Sequence, residues 1–279
     1  MNLHQKIIVT GAEGQLAQAL KKAAIKSKQL FFVSKEEMDI TNRETVNHFF
    51  EKHQPTLLIN TAAYTKVDEA EKNKDLAFAV NCEAVKILAD ACVKFQSKLI
   101  HLSTDYVFDG KATIPYKETA PANPVTVYGK SKYDGEKAIL NSGLKEFAII
   151  RTSWLYSEFG HNFYKTMLHL AASQKEINVV NDQQGCPTYA PDLARAILKI
   201  SENLNKVNSG IYHFTNQGQT TWYDFAKAIF EKNKISILVN PIPTFLYPTP
   251  AKRPAYSVLD SQKTREVFQV ETPHWTERI

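Results

Sequence analysis

Cysteine is scarce in this chain, and the three present form no pattern. Cys82, Cys92 and Cys186 are odd in number and widely spaced, with no C-x-x-C pair. That argues against a disulfide framework and against the common structural zinc spacings. Cys82 and Cys92 fall in a helical pattern, where a buried small apolar residue is expected. Long apolar runs are also missing. None approaches the roughly 18–20 residues that span a bilayer, so no membrane partner is expected. Met1–Lys6 leads straight into Ile7-Ile8-Val9, too short a run for a signal peptide, and a cytoplasmic location is expected. Internal repeats and low-complexity segments are absent. Charge of one sign is not concentrated either. Net charge is +5, with the 34 Lys and Arg scattered along the chain, which gives no nucleic-acid footprint. A mildly basic cleft suits an anionic small molecule equally well.

What remains is an ordinary globular composition of 279 residues, 43% hydrophobic and 23% charged. That length allows one large α/β domain with a smaller appendage, or two modest domains. Short β-branched runs alternate with helical patterns from the start. Strands are expected at 6–9, 30–33, 56–60, 99–103 and 147–151. Helices are expected from Gly14 to Lys26, from a Thr41–Glu44 capping box to His53, within Ala70–Phe95, and over Tyr128–Asn141. This alternation implies a Rossmann-type, doubly wound parallel sheet. Beyond residue 152 aromatics and prolines increase. Helices are expected at 163–172, 191–201 and 221–230, with Thr221 as N-cap, and a strand at 210–214. Asn240–Pro254, with five prolines, reads as an irregular loop. Residues 1–152 therefore read as a dinucleotide-binding domain. Residues 153–279 read mainly as a substrate-binding lobe, with some segments returning to the main domain.

Two motifs carry chemistry. Gly11-Ala12-Glu13-Gly14-Gln15-Leu16-Ala17 joins the first strand to the first helix. Gly11 allows a tight turn, Gly14 lets the backbone approach a pyrophosphate, and Ala17 lets the helix pack closely. The helix N-terminus then offers free N–H groups to phosphates. The second strand ends Val33-Ser34-Lys35, with no carboxylate there for a ribose hydroxyl, and Lys35 can pair with a 2′-phosphate. That favours NADPH, with NADH as the alternative; Glu13 leans the other way. The second motif is Tyr128-x-x-x-Lys132, whose side chains share one helix face about 6 Å apart along the axis. An adjacent ammonium favours a phenolate and lowers its pKa, so Tyr128 can protonate a carbonyl oxygen as hydride reaches the carbon. Thr104 leaves the carboxyl end of the expected fourth strand, where ligands bind in open parallel sheets. Its hydroxyl can polarise the same carbonyl.

Nearly end to end, the chain resembles the dTDP-4-dehydrorhamnose reductase family of extended short-chain dehydrogenases. The blocks that carry this are 60–68 (NTAAYTKVD), 103–108 (STDYVF), 127–132 (VYGKSK), 151–154 (RTSW), 181–183 (NDQ), 221–224 (TWYD) and 247–254 (YPTPAKRP). The resemblance implies NAD(P)H-dependent reduction of a dTDP-linked 4-keto sugar. It implies Thr104, Tyr128 and Lys132 as catalytic residues and Gly11, Gly14, Gln15 and Leu16 as the cofactor loop. It also implies Asp39, Ile40, Ala62, Ala63 and Tyr64 along the adenosine and ribose, and Thr65, Val67, Thr104, Asp105 and Trp154 near the sugar nucleotide. Arg253 is a candidate for the substrate diphosphate, with a surface ion pair as the alternative; core packing is the alternative for Trp154. Some members bind magnesium at a dimer interface through a glutamate after Pro-Thr. Here that position holds Pro191, so magnesium is not expected and a homodimer stays open. Two other readings stand beside this one. A nucleotide-sugar epimerase or dehydratase shares the fold, but a dehydratase calls for Thr-Asp-Glu, and Tyr106 follows Asp105. The regulatory subunit of methionine adenosyltransferase resembles these reductases too, so fold alone does not guarantee catalysis.

Overall fold

The computed structural model describes residues 6–24 and 29–279. In chain order the first elements are β1 (Lys6–Thr10), α1 (Gln15–Ala23), β2 (Gln29–Val33), α2 (Arg43–His53), β3 (Leu57–Asn60), α3 (Val67–Ala70), α4 (Lys74–Phe78) and α5 (Ala84–Lys94). They are followed by β4 (Lys98–Thr104), α6 (Val127–Asn141), β5 (Phe147–Thr152), β6 (Leu155–Tyr156), α7 (Phe163–Ala171), β7 (Glu176–Val180), β8 (Gln184–Gly185) and β9 (Thr188–Tyr189). The last are α8 (Ala190–Asn203), β10 (Gly210–His213), β11 (Thr220–Thr221), α9 (Trp222–Lys232), β12 (Leu238–Ile242) and α10 (Gln262–Phe268).

Six strands form one parallel sheet in the order β10-β5-β4-β3-β1-β2. Both faces are covered, and the strand period of two decides which residue goes where. Ile7, Val9, Leu57, Ile59, Ile100 and Ile150 pack on one face with α1 and α8. Ile8, Leu58, Leu99 and Ile149 pack on the other with α2 and α5. Because β10 lies beside β5, residues 210–213 belong to the main sheet although they come late in the chain. Around the carboxyl edge of this sheet, a separate cluster of Tyr156, Met167, Ile177, Phe225, Ile229 and Trp275 holds together α7, α9 and the β7–β12 pair.

Several expected elements differ. The single helix within Ala70–Phe95 is broken: after α3 the chain turns, α4 follows, and Ala79–Glu83 winds as a π turn before α5. The cause is local packing. Asn81 sits in that turn, fully buried, with its amide donating to Tyr64 O and Ser131 Oγ. Cys82, in the same turn, is only half-buried, unlike Cys92. The cap of α2 is Asn42, not Thr41: Asn42 Oδ1 accepts from Thr45 N, while the Thr41 hydroxyl donates to Asp39. The expected helix end at Lys26 lies outside the described residues, and so does most of the N-terminal segment Met1–Lys6. The 240–254 stretch opens as strand, because Pro241 lies in a two-stranded sheet where a missing N–H is tolerated. Thr221 does cap α9, accepting from Asp224 N.

Helix α6 is pressed against its neighbours at two glycines. A Cβ on Gly135 would lie 2.1 Å from Asn81 O, and one on Gly129 would lie 2.2 Å from Tyr106 O. Both contacts are to backbone, which cannot swing away. Gly135→Ala is therefore expected to cost about 1–3 kcal/mol by overpacking. A denaturant midpoint no lower than that of the wild type would show that the π turn gives way freely.

Candidate active site

Strand order reverses beside β1, which leaves a crevice between the loops after β1 and β3. A cleft of about 1040 Å3 opens there. Its phosphate end is built from Gly11, Gly14, Gln15 and Leu16. Gly11 has φ +72°, and a Cβ there would lie 2.9 Å from Ala62 N, so glycine is required twice over. Gly14 caps α1 without a side chain, which leaves the first-turn N–H groups available to an anion. A dinucleotide pyrophosphate fits such a cradle. The Gln15 side chain turns away toward the C-terminal lobe, donating to Leu155 O and accepting from Ser157 Oγ.

Along the adjoining wall lie Lys35, Asp39, Ile40, Ala62 and Ala63. Lys35 is exposed there. Glu36 shares this wall, a carboxylate one residue past Lys35 that the glycine-loop and strand-end pattern does not single out. Asp39 has its carboxylate held below the usual range by two hydrogen bonds from Thr41. Tyr64 does not line the cleft; its backbone is clamped by Asn81 on both sides.

At the far end, Thr104, Tyr128 and Lys132 line the same cleft. Thr104 ends β4, and α6 begins at the Thr126 cap, so Tyr128 and Lys132 come from the first two turns of one helix. Thr104 Oγ1 donates to Asp105 Oδ1 at 3.0 Å, accepts from Tyr106 N at 3.2 Å, and lies beside the Tyr128 hydroxyl. Asp105 is buried. Its Oδ2 makes no hydrogen bond, and burial raises the carboxyl to about 6 against the pull of Thr104 and the nearby Ser257.

The expected tyrosine–lysine coupling is not what this geometry gives. Burial pushes the Tyr128 phenol up to about 12, opposed by Thr104 and helped by the Asp105 charge. Lys132 Nζ points instead at β4, donating to Leu102 O at 2.6 Å and standing 3.4 Å from His101 Nε2. Burial brings that ammonium down to about 8, with Glu136 opposing. Desolvation of both groups outweighs any mutual attraction. The phenol consequently keeps its proton at neutral pH.

Beneath the site lies an ion pair that spacing alone did not reveal. Arg151 Nε and Nη2 donate to the two carboxylate oxygens of Glu136 at 2.9 and 2.6 Å, and Ser103 Oγ donates to Glu136 Oε1 at 2.5 Å. Both charges are buried, so removing either partner would leave the other uncompensated. This cluster ties α6, which carries Tyr128 and Lys132, to β4, which ends at Thr104, and to β5.

Thr65, Val67, Asp105 and Trp154 line the opposite side of the cleft. Trp154 has φ 47°, unusual for so large a side chain. Its indole is stacked on Trp222 at 3.5 Å, and a Cβ on Gly185 would strike it at 2.4 Å. Trp154 is thus neither free nor core: it is clamped at the cleft edge. Gly185 had no signal of its own beyond lying two residues past the Asn-Asp-Gln block, and Trp222 none beyond standing within the Thr-Trp-Tyr-Asp block. Arg253 does not line the cleft. It is ion-paired with Asp68, the alternative weighed for it, while its buried Nη1 has no partner. Among the described residues no cluster of His, Cys, Asp or Glu could hold a metal ion. Pro191 stands in the first turn of α8, and Asp192 is taken up by Arg195, Arg278 and Asn216. Nor is any helix among them long and apolar enough to cross a membrane.

The family model described as the RmlD substrate binding domain matches residues 5–279. The chain is similar to the dTDP-4-dehydrorhamnose reductase of Aggregatibacter actinomycetemcomitans, 42% identical over 97% of this chain and 95% of that one. It is 40% identical to the spore coat polysaccharide biosynthesis protein SpsK of Bacillus subtilis, covering 98% and 95% of the two chains. Its fold is similar to the crystal structure of dTDP-4-dehydrorhamnose reductase from Bacillus anthracis in complex with NADP, with a TM-score of 0.94, 37% identity, and 99% and 97% of the chains covered.

The clamp on Trp154 can be tested directly. Gly185→Ala should force the indole off Trp222 and weaken the near-ultraviolet circular dichroism of the stacked pair. An unchanged spectrum in a folded variant would mean the ring has room to spare.

Proposed function

The chain belongs to the dTDP-4-dehydrorhamnose reductase family, and from that membership we propose that it reduces the C4 keto group of dTDP-4-dehydro-L-rhamnose to give dTDP-L-rhamnose, with NADPH as reductant. The observation that carries this is the meeting of Thr104, Tyr128 and Lys132 in one cleft with the Gly11–Leu16 cradle. When bound, NADPH supplies the hydride that reaches the keto carbon. The first turn of α1 with Gly11, Gly14, Gln15 and Leu16 would hold its pyrophosphate, Asp39, Ile40, Ala62 and Ala63 its adenosine and ribose, and Lys35 its 2′-phosphate. Residues 1–152 thus carry most of the cofactor side, and 153–279, with Thr65, Val67 and Asp105, most of the substrate side. Trp154 forms the wall beside the sugar. Arg253 reaches the substrate diphosphate by releasing Asp68, and its unpartnered Nη1 is the support for that role. Three free thiols agree with a reducing, cytoplasmic setting.

Proton transfer is the step this chain's own residues perform. Negative charge grows on the keto oxygen and needs a donor already in place. Tyr128 is protonated at neutral pH because burial holds its pKa near 12. An alkoxide is a far stronger base than a phenolate, so transfer from Tyr128 runs downhill. Thr104, beside that hydroxyl, would polarise the same keto oxygen. In the resting site the Lys132 ammonium donates to Leu102 O; once a phenolate forms, its charge would draw on that ammonium one turn along, and the same group would hold the cofactor ribose. Asp105, buried with a free oxygen, accepts from a sugar hydroxyl.

Two measurements test this. Tyr128→Phe should lower kcat on the sugar nucleotide by roughly a hundred- to ten-thousandfold, the usual worth of a general acid, with NADPH affinity within a few fold of wild type. Near wild-type turnover would place the proton donor elsewhere. Lys35→Ala should weaken NADPH binding by about three- to tenfold, since one exposed ion pair is at stake, and leave NADH unchanged. Equal loss for both cofactors would remove Lys35 from the 2′-phosphate, and binding of neither to wild type would end the reductase reading.

A further inference from the structure

One buried titratable residue has no part in the chemistry above. His101 on β4 is fully buried between Asn60 and Lys132. Its protonation pattern can be deduced by following hydrogen bonds inward from a donor whose identity is beyond choice. The backbone N–H of Ala62 donates to Asn60 Oδ1 at 3.2 Å, and Thr10 Oγ1 donates to the same oxygen at 2.6 Å. An amide nitrogen in that place would set donor against donor, so the orientation of the Asn60 amide is settled. Its Nδ2 therefore faces His101 Nδ1, at 3.0 Å, as a donor. Nδ1 must accept, and a neutral imidazole with an accepting Nδ1 carries its proton on Nε2. The ring is neutral, because burial and the neighbouring Lys132 both hold its pKa well below the usual histidine range.

The Nε2–H then points at Lys132 Nζ. An ammonium has three donors and no acceptor. One proton goes to Leu102 O, and another would have to oppose the imidazole N–H. The neutral amine has no such conflict: it still donates to Leu102 O, and its lone pair accepts from His101. We propose that His101, with its tautomer set by Asn60, is a positioning residue that holds Lys132 against β4 and favours its neutral form, thereby setting the pH at which Lys132 gains or loses its proton. This rests on the catalytic role of Lys132 in the reductase reading.

Other groups around Lys132 do not cancel the effect. On α6 these are Tyr128, protonated, and Glu136, which favours the ammonium but is shared with Arg151 of β5. Past the end of β4 is Asp105, bonded to Thr104. From the helical run packed on α6, the residue that reaches in is the uncharged Asn81, taken up by Tyr64 and Ser131, while Cys82 is bonded to Glu83. Burial brings Lys132 to about 8, and an imidazole N–H aimed at Nζ acts in the same direction, since it opposes a third ammonium proton.

Two readouts decide the matter. Long-range 15N–1H NMR of the histidine-labelled wild-type protein should show His101 with a protonated Nε2 and a bare Nδ1 at neutral pH. A protonated Nδ1 overturns the proposal whether or not the protein turns over any sugar. In His101→Gln, the amide oxygen can accept from the ammonium, so the Lys132 pKa should rise. If the reaction needs that ammonium, the alkaline fall in kcat/KM, expected through about pH 8 in wild type, should move up by roughly one pH unit. An alkaline limb that stays in place, or moves down, in a folded variant that still binds NADPH overturns it too. Absence of turnover by wild type on the sugar nucleotide sinks the reductase reading instead and leaves the tautomer to decide this one.

Discussion

Everything at the reactive end of the cleft depends on how closely α6 can approach the turn after β4 and the π turn at Ala79–Glu83. Two glycines permit that approach. At Gly129 the helix meets Tyr106 O, and at Gly135 it meets Asn81 O, each nearer than a methyl group would allow. With α6 seated there, Tyr128 comes to lie beside Thr104 and Lys132 reaches the carbonyl of Leu102. Backbone, not side chains, sets the distance. A helix held off by even one methyl group would move the phenol relative to Thr104, and positioning errors of that size weigh heavily on catalysis.

The same closeness dehydrates the site, and the polar groups beneath it are arranged to survive that. Glu136 and Arg151 neutralise each other and anchor Ser103. Thr10, Asn60 and His101 form a second line of hydrogen bonds from β1 through β3 to β4. A partly satisfied buried network would be worse than an apolar core, so these contacts constrain orientation as much as they stabilise. Desolvation also explains the pKa pattern. Tyr128 is pushed up and Lys132 down, which keeps a phenol ready to donate and a lysine poised near neutrality.

Much of this was legible in the residues. Short apolar runs such as 6–9 and 99–103 announced the parallel sheet, because strands buried on both faces leave continuous apolar segments. The glycine loop and Tyr128-x-x-x-Lys132 were visible because each concentrates its chemistry within a single turn or two. What stayed hidden was set by tertiary contacts. The π turn at Ala79–Glu83 answers to the packing of Asn81, which no local propensity encodes. The Glu136–Arg151 pair joins residues 15 apart on different elements, and nothing in either neighbourhood marks them as partners. Gly185 matters only because Trp154 lies over it. The expected lowering of the tyrosine pKa failed for a related reason. Spacing showed that Lys132 shares a face with Tyr128, but not that both would be dry and that the ammonium would turn to Leu102 O.

The central claim is that this cleft directs a hydride to one carbon while Tyr128 protonates the attached oxygen. The most direct test is to incubate the purified protein with dTDP-4-dehydro-L-rhamnose and NADPH carrying deuterium at the transferred nicotinamide position, then read the product by NMR. The account expects one deuterium, at C4 of the sugar, for each cofactor oxidised. Cofactor oxidation without deuterium at C4, or no product at all from a folded protein that binds both ligands, would contradict it.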